Sequence, residues 1–209
     1  MCDASAVEIS DLIEVDLGPR ARGFFTTRGL RARPVSAPGG AAQDRDAESE
    51  EGAAYDGWNL ALHVGDDPQR VHCHRRRLEE LLGLERGRHL AWMNQVHSAV
   101  VATAQAGDVP TADALVLDSR TGGAPAGCCV LVADCVPVLL ASRDGALTAA
   151  VHAGRRGMLD GVVPATIDFL RRSGVEPVDL WAAVGPSICG SCYEVPEEML
   201  ALSAQREPA

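Results

Sequence analysis

The chain has 209 residues, of which 46% are apolar, and a formal net charge of −10 at pH 7. A chain of this length and composition can bury one substantial core, which predicts one domain rather than two. The acidic balance argues against nucleic acid or an anionic membrane as the partner, because phosphate groups are bound by clustered Lys and Arg side chains. The composition therefore favours a small molecule as the partner.

The sequence shows no pattern typical of export or of membrane insertion. Residues 1–8 are acidic and lack the basic start and apolar stretch of a signal peptide. The longest apolar run, 128–141, is interrupted by Asp134 and is too short to cross a bilayer. Seven cysteines are an odd number, and outside an exported protein they are expected to be reduced thiols. We therefore expect a soluble, cytoplasmic protein.

The first part of the chain predicts two short strands, a loop and a helix. The strands are expected at Glu14–Leu17 and Gly23–Thr27. From about Arg31 to Gly57 the sequence carries Pro, Gly, Ala and acidic residues but few large apolar ones. Such a composition cannot offset its ordering entropy and predicts a mobile surface loop. A helix is expected to begin at Pro68, with Asp67 as its cap, and to end near Gly83.

The second part predicts more strands and one more helix. Apolar and β-branched runs predict strands at 91–102, 114–117, 128–142, 147–152 and 180–184. Arg143–Gly145 is typical of a hairpin turn, and 157–170 predicts a helix. Strands mixed with two or three helices favour the α+β class, as a single layered domain that covers residues 1–209.

Three side chains that can bind a metal lie in or beside these apolar runs: His97, Cys135 and His152. Each alone is explained by packing, since a lone histidine is usually structural and cysteine is among the residues most often buried. Their neighbours favour a site, because Asp134 and Gly154 break runs in which a packed strand gains nothing from a charge or a glycine. Two imidazoles and one thiolate delivered from strand ends can form an open tetrahedral zinc site.

Other residues near these runs could bind a ligand. Strand alternation places Gln95 on the same face as His97. Arg155 and Arg156 follow a glycine-bearing turn before a predicted helix, where they could bind phosphate, although a plain loop with solvated arginines explains them as well. Farther on, Cys189–Cys192 has the C-x-x-C spacing of half a zinc knuckle or of a redox pair. No second C-x-x-C accompanies it, so packing or chance is a third explanation.

A family resemblance rests on seven motifs that follow one another in the expected order along nearly the whole chain. They are Phe24–Arg28, Asn59–Asp67, Asn94–His97, Ala112–Leu115, Val132–Val138, Val151–Gly154 and Gly185–Val195. With these motifs the chain resembles the laccase-domain proteins, which are also named multicopper polyphenol oxidoreductases and, by activity, purine nucleoside phosphorylases. The resemblance implies a layered α/β fold with a mixed β-sheet.

The resemblance also implies the chemistry of the site. In this family the matching residues bind zinc, which carries over to His97, Cys135 and His152 as metal ligands and catalytic residues, with copper as an alternative ion. The implied reaction converts adenosine, inosine or methylthioadenosine and phosphate to the free base and a ribose 1-phosphate, with adenosine deaminase activity in addition. The residues expected at the nucleoside and the phosphate are Asn59, Arg75, Gln95, Arg155 and Arg156.

The chain departs from the family pattern at several positions. It has Ser98 where glycine is common, His74 where asparagine is common, and Arg155 where tryptophan is common. The family pattern continues beyond the Tyr-Glu-Val motif, whereas this sequence ends at Ala209, so we expect the family's C-terminal segment to be missing. The oligomeric state is left open.

Two other functions compete with the zinc phosphorylase. One is a metal-free cysteine hydrolase or deamidase, with Cys135 as nucleophile and His152 or His97 as base. The other is a non-catalytic binding protein, which the missing segment favours. Measured metal content distinguishes the cysteine hydrolase from the zinc enzyme. Measured turnover distinguishes the binding protein from the zinc enzyme.

Overall fold

The computed structural model describes residues 11–27 and 57–206. The chain divides into two compact units, one made of residues 1–13 and 26–85 and the other of residues 14–25 and 86–209. Within the described ranges, no helix is long and apolar enough to cross a membrane. The loop predicted at about 31–57 lies, apart from Gly57, outside the described residues. One domain over 1–209 stays a prediction.

Among the described residues, the two strands near the start and the helix after residue 57 form close to where the sequence pattern predicts them. Strand β1, Leu12–Asp16, and strand β2, Arg22–Thr26, make a two-stranded sheet. Helix α1 spans Pro68–Leu81. The side chain of Asp67 caps it by accepting a hydrogen bond from the backbone N–H of Gln69 at 2.9 Å. Proline is tolerated at the first helical position because its missing N–H has no intrahelical partner there.

The cysteines of the described residues are in two states. Cys73, on α1, is disulfide-bonded. The free thiols are Cys128, Cys129, Cys135, Cys189 and Cys192. The expectation of reduced thiols is wrong for Cys73, because disulfide formation depends on which sulfur atoms the fold brings together and not on their count.

Asp66 is a buried carboxylate at the entry to α1. It accepts hydrogen bonds from Asn59 Nδ2 at 2.8 Å, from Arg70 Nε at 3.0 Å and from the backbone N–H of Asp67 at 2.7 Å. Burial alone raises the pKa of Asp66, but these hydrogen bonds outweigh it and hold the pKa below its ordinary value. The carboxylate is therefore ionised in the folded protein at neutral pH.

The variant Asp66→Asn is expected to lower the free energy of unfolding by about 1–3 kcal/mol at neutral pH, because it removes a charged acceptor from three donors. A carboxylate with a depressed pKa stabilises the fold above its unfolded pKa and loses that effect as pH falls through its folded pKa. The difference between wild type and variant should thus shrink below about pH 4. Urea unfolding across this range measures it, and a difference that does not change with pH would contradict the assignment.

A mixed five-stranded sheet dominates the second unit, with the strand order β4-β5-β8-β7-β9. Its strands are β4 Val101–Thr103, β5 Ala114–Asp118, β7 Val136–Ser142, β8 Leu147–Ala153 and β9 Leu180–Val184. Strands β4 and β5 are parallel, and the other neighbours are antiparallel. The mixed sheet confirms the predicted fold class.

The second unit also contains two short strands and three helices among its described residues. The parallel pair β3, Leu90–Ala91, and β6, Gly127–Cys128, forms a small separate sheet. The helices are α2 Arg155–Leu159, α3 Val162–Arg172 and α4 Glu197–Arg206, and a 3-10 turn covers Pro177–Asp179. The predicted hairpin turn at 143–145 joins β7 to β8, and Gly145 donates its N–H to the carbonyl of Ser142 at 2.8 Å.

Strand β5 is buried on both faces. Val116 packs in one apolar cluster with Val162 and Leu170 of α3, whereas Leu115 packs in a second cluster with Met93. Because successive side chains of a strand point to opposite faces, this division follows from the period of two. Asp113, the residue that precedes β5, is also fully buried.

Three predicted elements differ from the structure. The strand predicted over 91–102 forms only at its ends, as β3 and β4, and the strand predicted over 128–142 is divided into β6 and β7. The segments between them, 92–100 and 129–135, have no regular strand structure. The helix predicted over 157–170 is two helices, because Gly161 adopts a φ of 89° in the left-handed region and interrupts it.

Candidate metal centre

His97, Cys135 and His152 bring three metal-binding atoms within 4.8 Å of one another. His97 Nε2 lies 3.8 Å from Cys135 Sγ. The ring centroids of His97 and His152 are 4.7 Å apart, with the ring planes at 72°. Zinc bonds of about 2.3 Å to sulfur and about 2.0–2.1 Å to nitrogen place tetrahedral ligand atoms roughly 3.6 Å apart. The donor types and their spacing therefore fit a single zinc-sized ion.

One of the three ligands lies in the sheet and the other two lie in irregular segments next to its strands. His152 lies in β8 and pairs with Pro137 of β7, and Cys135 comes immediately before β7. These two residues are neighbours because β7 and β8 form an antiparallel hairpin. His97 lies in the irregular segment 92–100 and has a φ of 59°, a left-handed conformation that costs energy for any residue with a Cβ.

Asp113, the residue before β5, holds His97 in this conformation. Its fully buried carboxylate accepts the backbone N–H groups of Val96 at 3.3 Å, His97 at 2.9 Å and Ser98 at 2.6 Å. It also accepts the Ser98 hydroxyl at 2.7 Å and His152 Nδ1 at 2.8 Å. The proton of His152 is therefore on Nδ1, which leaves Nε2 as the atom for a metal.

The electrostatics of the site suit a bound cation. Burial alone raises the pKa of Asp113, but hydrogen bonds from His152 and Ser98 outweigh it and hold the pKa below its ordinary value. Burial, followed by the negative charges of Asp134 and Asp113, raises the pKa of the Cys135 thiol. A cation would offset these charges and stabilise the Cys135 thiolate. A metal-free nucleophile would lack this stabilisation.

Gly154 is the residue around which the three ligands converge. A Cβ atom at this position would lie 2.8 Å from His97 Cδ2, 3.0 Å from Cys135 Sγ and 3.4 Å from His152 Cε1. The φ of Gly154 is −68°, which any residue can adopt. The requirement for glycine is therefore one of space, since a methyl group would push the ligands apart.

Gln95 joins the two irregular segments that carry His97 and Cys135. Its Nε2 donates to the carbonyl of Leu131 at 2.7 Å, and its Oε1 accepts the N–H of Leu131 at 2.8 Å. The predicted strand that would align Gln95 with His97 is absent at both residues. Contact between Gln95 and a nucleoside stays a prediction.

Arg155 and Arg156 directly follow Gly154 at the start of α2. They line a cavity of about 300 Å³ together with Leu159, Asp160, Leu202 and Arg206. Asp160 lies 3.6 Å from Arg156 Nε and accepts a hydrogen bond from Arg206 at 2.7 Å. Three arginines and one carboxylate line the cavity, so its lining carries a net positive charge that suits an anion.

Asn59 and Arg75 both belong to the other unit, where they hold the segment before α1. Asn59 Nδ2 donates to Asp66 and, at 3.2 Å, to the carbonyl of Ala61. Arg75 Nε donates to the carbonyl of Leu60 at 2.9 Å. Their expected contacts with nucleoside and phosphate stay predictions.

The family model of the multi-copper polyphenol oxidoreductase laccases matches residues 43–209. The chain belongs to this family. A purine nucleoside phosphorylase of Streptomyces coelicolor is 48% identical over 159 residues, which are 74% of this chain and 64% of the relative. A second one, of Corynebacterium glutamicum, is 45% identical over 150 residues, which are 69% of this chain and 59% of the relative. The chain thus spans less than two thirds of the length of these relatives.

Solved structures of similar proteins agree with this assignment. The protein NMB0706 of Neisseria meningitidis has a TM-score of 0.69 and 32% identity, over 95% of this chain and 72% of that one. YlmD from Geobacillus stearothermophilus has a TM-score of 0.61 and 31% identity, over 71% of this chain and 57% of that one. The fold and the family implied by the sequence motifs are therefore confirmed.

Proposed function

We propose that this chain is a zinc-dependent purine nucleoside phosphorylase that cleaves adenosine, inosine and methylthioadenosine with phosphate. The observation that carries the proposal is the convergence of His97, Cys135 and His152 around Gly154. The names of relatives that are up to 48% identical support the substrate class. The arginines that follow Gly154 in sequence and line a cationic cavity support phosphate as the second substrate.

Different residues of this chain meet different requirements of the phosphorolysis reaction. In phosphorolysis a phosphate oxygen forms a bond to C1′ of the ribose while the bond from C1′ to the purine nitrogen breaks, and the base leaves with the electron pair. Arg155 and Arg156 bind the phosphate and neutralise its charge as it approaches the sugar. Asp113 keeps His152 in the tautomer and orientation that a ligand needs. His97, Cys135 and His152 would hold a zinc ion, which would supply Lewis acidity at this site.

The same centre is proposed to deaminate adenosine. In that reaction water adds at C6 of the purine and ammonia leaves, so the product from adenosine is inosine. This activity needs no phosphate, whereas release of the free base does. The two activities are therefore separated by omitting phosphate from the assay.

The chemistry of multicopper oxidation fits the described residues less well. Such a reaction uses more than one metal centre, and residues 11–27 and 57–206 contain one group of three metal-binding side chains. All six histidines of the sequence lie within these described ranges. The family description by itself thus does not assign copper oxidase activity to this chain.

The variant Arg156→Ala is expected to raise the KM for phosphate by about 10- to 100-fold, because it removes a charge-assisted contact to the anion. Phosphate-dependent release of hypoxanthine from inosine by the zinc-loaded chain measures it. The matched control is Arg120→Ala, since Arg120 pairs with Asp118 at the opposite end of β5 from Asp113. Equal KM values in both variants would remove Arg156 from the phosphate site.

The same assay decides between the proposed enzyme and its rivals. Loss of base release on adding a chelator, with recovery on adding zinc, supports the phosphorylase. Zinc-free protein that is active and is alkylated selectively at Cys135 would identify a cysteine hydrolase instead. A folded, zinc-loaded chain that turns over neither inosine nor adenosine would identify a binding protein.

A further inference from the structure

Two thiols outside the metal centre face each other on an exposed turn after β9. Cys189 and Cys192 are both exposed, and their sulfur atoms are 3.1 Å apart. The backbone N–H of Cys192 donates to the carbonyl of Cys189 at 2.9 Å, and the N–H of Tyr193 donates to the same carbonyl at 3.1 Å. The turn therefore holds two accessible thiols next to each other.

The segment that leads into this turn is fixed to the sheet. Gly185 donates its N–H to the carbonyl of Pro137 in β7 at 2.9 Å, and Ile188 donates to the carbonyl of Asp134 at 3.0 Å. Because the entry to the turn is anchored, the two sulfur atoms meet at a small entropic cost.

The two thiols differ in their chemistry. Hydrogen bonds from Cys192 and from the backbone N–H groups of Ser191 and Cys192 lower the pKa of Cys189, whereas the pKa of Cys192 is raised. One partner is thus the better thiolate and the other keeps its proton longer. This asymmetry is the one that thiol–disulfide exchange uses, with an attacking and a resolving cysteine.

A structural zinc site is a poorer explanation of the pair. Zinc in such sites is held by four protein ligands, and two cysteines supply only half of them. In the described part of the chain, the group of three or more metal-binding side chains is the one at His97, and neither Cys189 nor Cys192 belongs to it.

We propose that Cys189 and Cys192 are a redox-active dithiol, which closes to an intramolecular disulfide by exchange with a small-molecule disulfide. The Cys189 thiolate attacks one sulfur of that disulfide, a mixed disulfide forms, and the first small thiolate leaves. Cys192 then loses its proton and attacks the sulfur of Cys189, so that the second small thiolate leaves. The protein loses two electrons and two thiol protons, and the small disulfide is reduced to two thiols.

Mass spectrometry of the whole zinc-loaded chain tests this proposal, because cleavage after arginine isolates the pair. The peptide 173–206 contains Cys189 and Cys192 and no other cysteine, whereas 121–143 contains Cys128, Cys129 and Cys135. After incubation with oxidised glutathione and alkylation, peptide 173–206 is expected without alkyl groups and lighter by two hydrogens. Burial raises the pKa of Cys128 to about 11. Cys128, in peptide 121–143, is therefore expected not to react with oxidised glutathione.

Single variants separate this exchange from unspecific oxidation of exposed thiols. Cys192→Ser is expected to stop at a stable mixed disulfide on Cys189, because the resolving thiol is gone. In Cys189→Ser the rate of reaction with oxidised glutathione is expected to fall by about tenfold, because the better thiolate is gone. Glutathione retained on both cysteines of the wild type, or two thiols left free at equilibrium, would overturn the proposal. Neither result depends on phosphorylase activity.

Discussion

The variant Asp113→Asn is expected to weaken zinc binding by about 10- to 100-fold and to lower the free energy of unfolding by about 3 kcal/mol. The carboxylate accepts hydrogen bonds from three successive backbone N–H groups, from the Ser98 hydroxyl and from His152. An amide of the same shape carries no charge and turns an NH₂ group toward some of these donors. The segment with His97 then loses the contacts that hold its left-handed conformation.

Zinc titration with a competing chelator and urea unfolding measure the two effects. The matched control is Asp118→Asn, at the other end of β5, where the carboxylate is bonded to Arg120 near the surface. This control is expected to leave zinc affinity unchanged and stability nearly so. An Asp113→Asn protein that binds zinc as tightly as the control would show that Asp113 does not position the ligands.

The variant Gly154→Ala is expected to fold and yet to lose zinc affinity by about 100-fold or more, since ligands must stay within about 0.5 Å of their productive geometry. The new methyl group would lie within 3.0 Å of both His97 and Cys135, so at least one of these side chains must move. The backbone at position 154 suits alanine, and the expected loss of stability is limited to about 1–3 kcal/mol from overpacking.

Gly122→Ala is the control for this substitution. An added Cβ at Gly122 meets no atom within 4 Å. It should therefore leave both zinc binding and turnover as they are in the wild type. If the Gly154→Ala protein retained full zinc affinity, the ligands would have to converge differently from the arrangement described.

Much of the fold could be predicted because local signals and packing agree. The cap at Asp67 and the proline after it define the start of α1, and the continuous apolar run 114–117 matches a strand that is buried on both faces. The prediction of one helix over 157–170 failed because a single residue interrupts a run of apolar ones. Gly161 divides a helix that the hydrophobic pattern continues through, because its left-handed conformation has no counterpart in hydrophobicity.

The ligands of the candidate site could be found in the sequence, but their supporting residues could not. His97, Cys135 and His152 stand out because their residue types bind metals. Asp113 could be quoted as part of a motif, yet its role depends on donors 15 to 39 positions away along the chain. The contact of Gln95 with a nucleoside stays a prediction, and the bonds that Gln95 makes to Leu131 depend on two irregular segments meeting. Long-range contacts of this kind leave no periodic trace in the sequence.

Zinc content of the folded chain tests the central claim most directly. After reconstitution with excess zinc and removal of unbound metal, we expect one zinc ion per wild-type chain and almost none in Cys135→Ala. Cys129→Ala, in the same irregular segment but outside the group of three ligands, should retain the metal. Wild-type protein without zinc, or equal zinc in the wild type and in Cys135→Ala, would contradict a metal centre built on His97, Cys135 and His152.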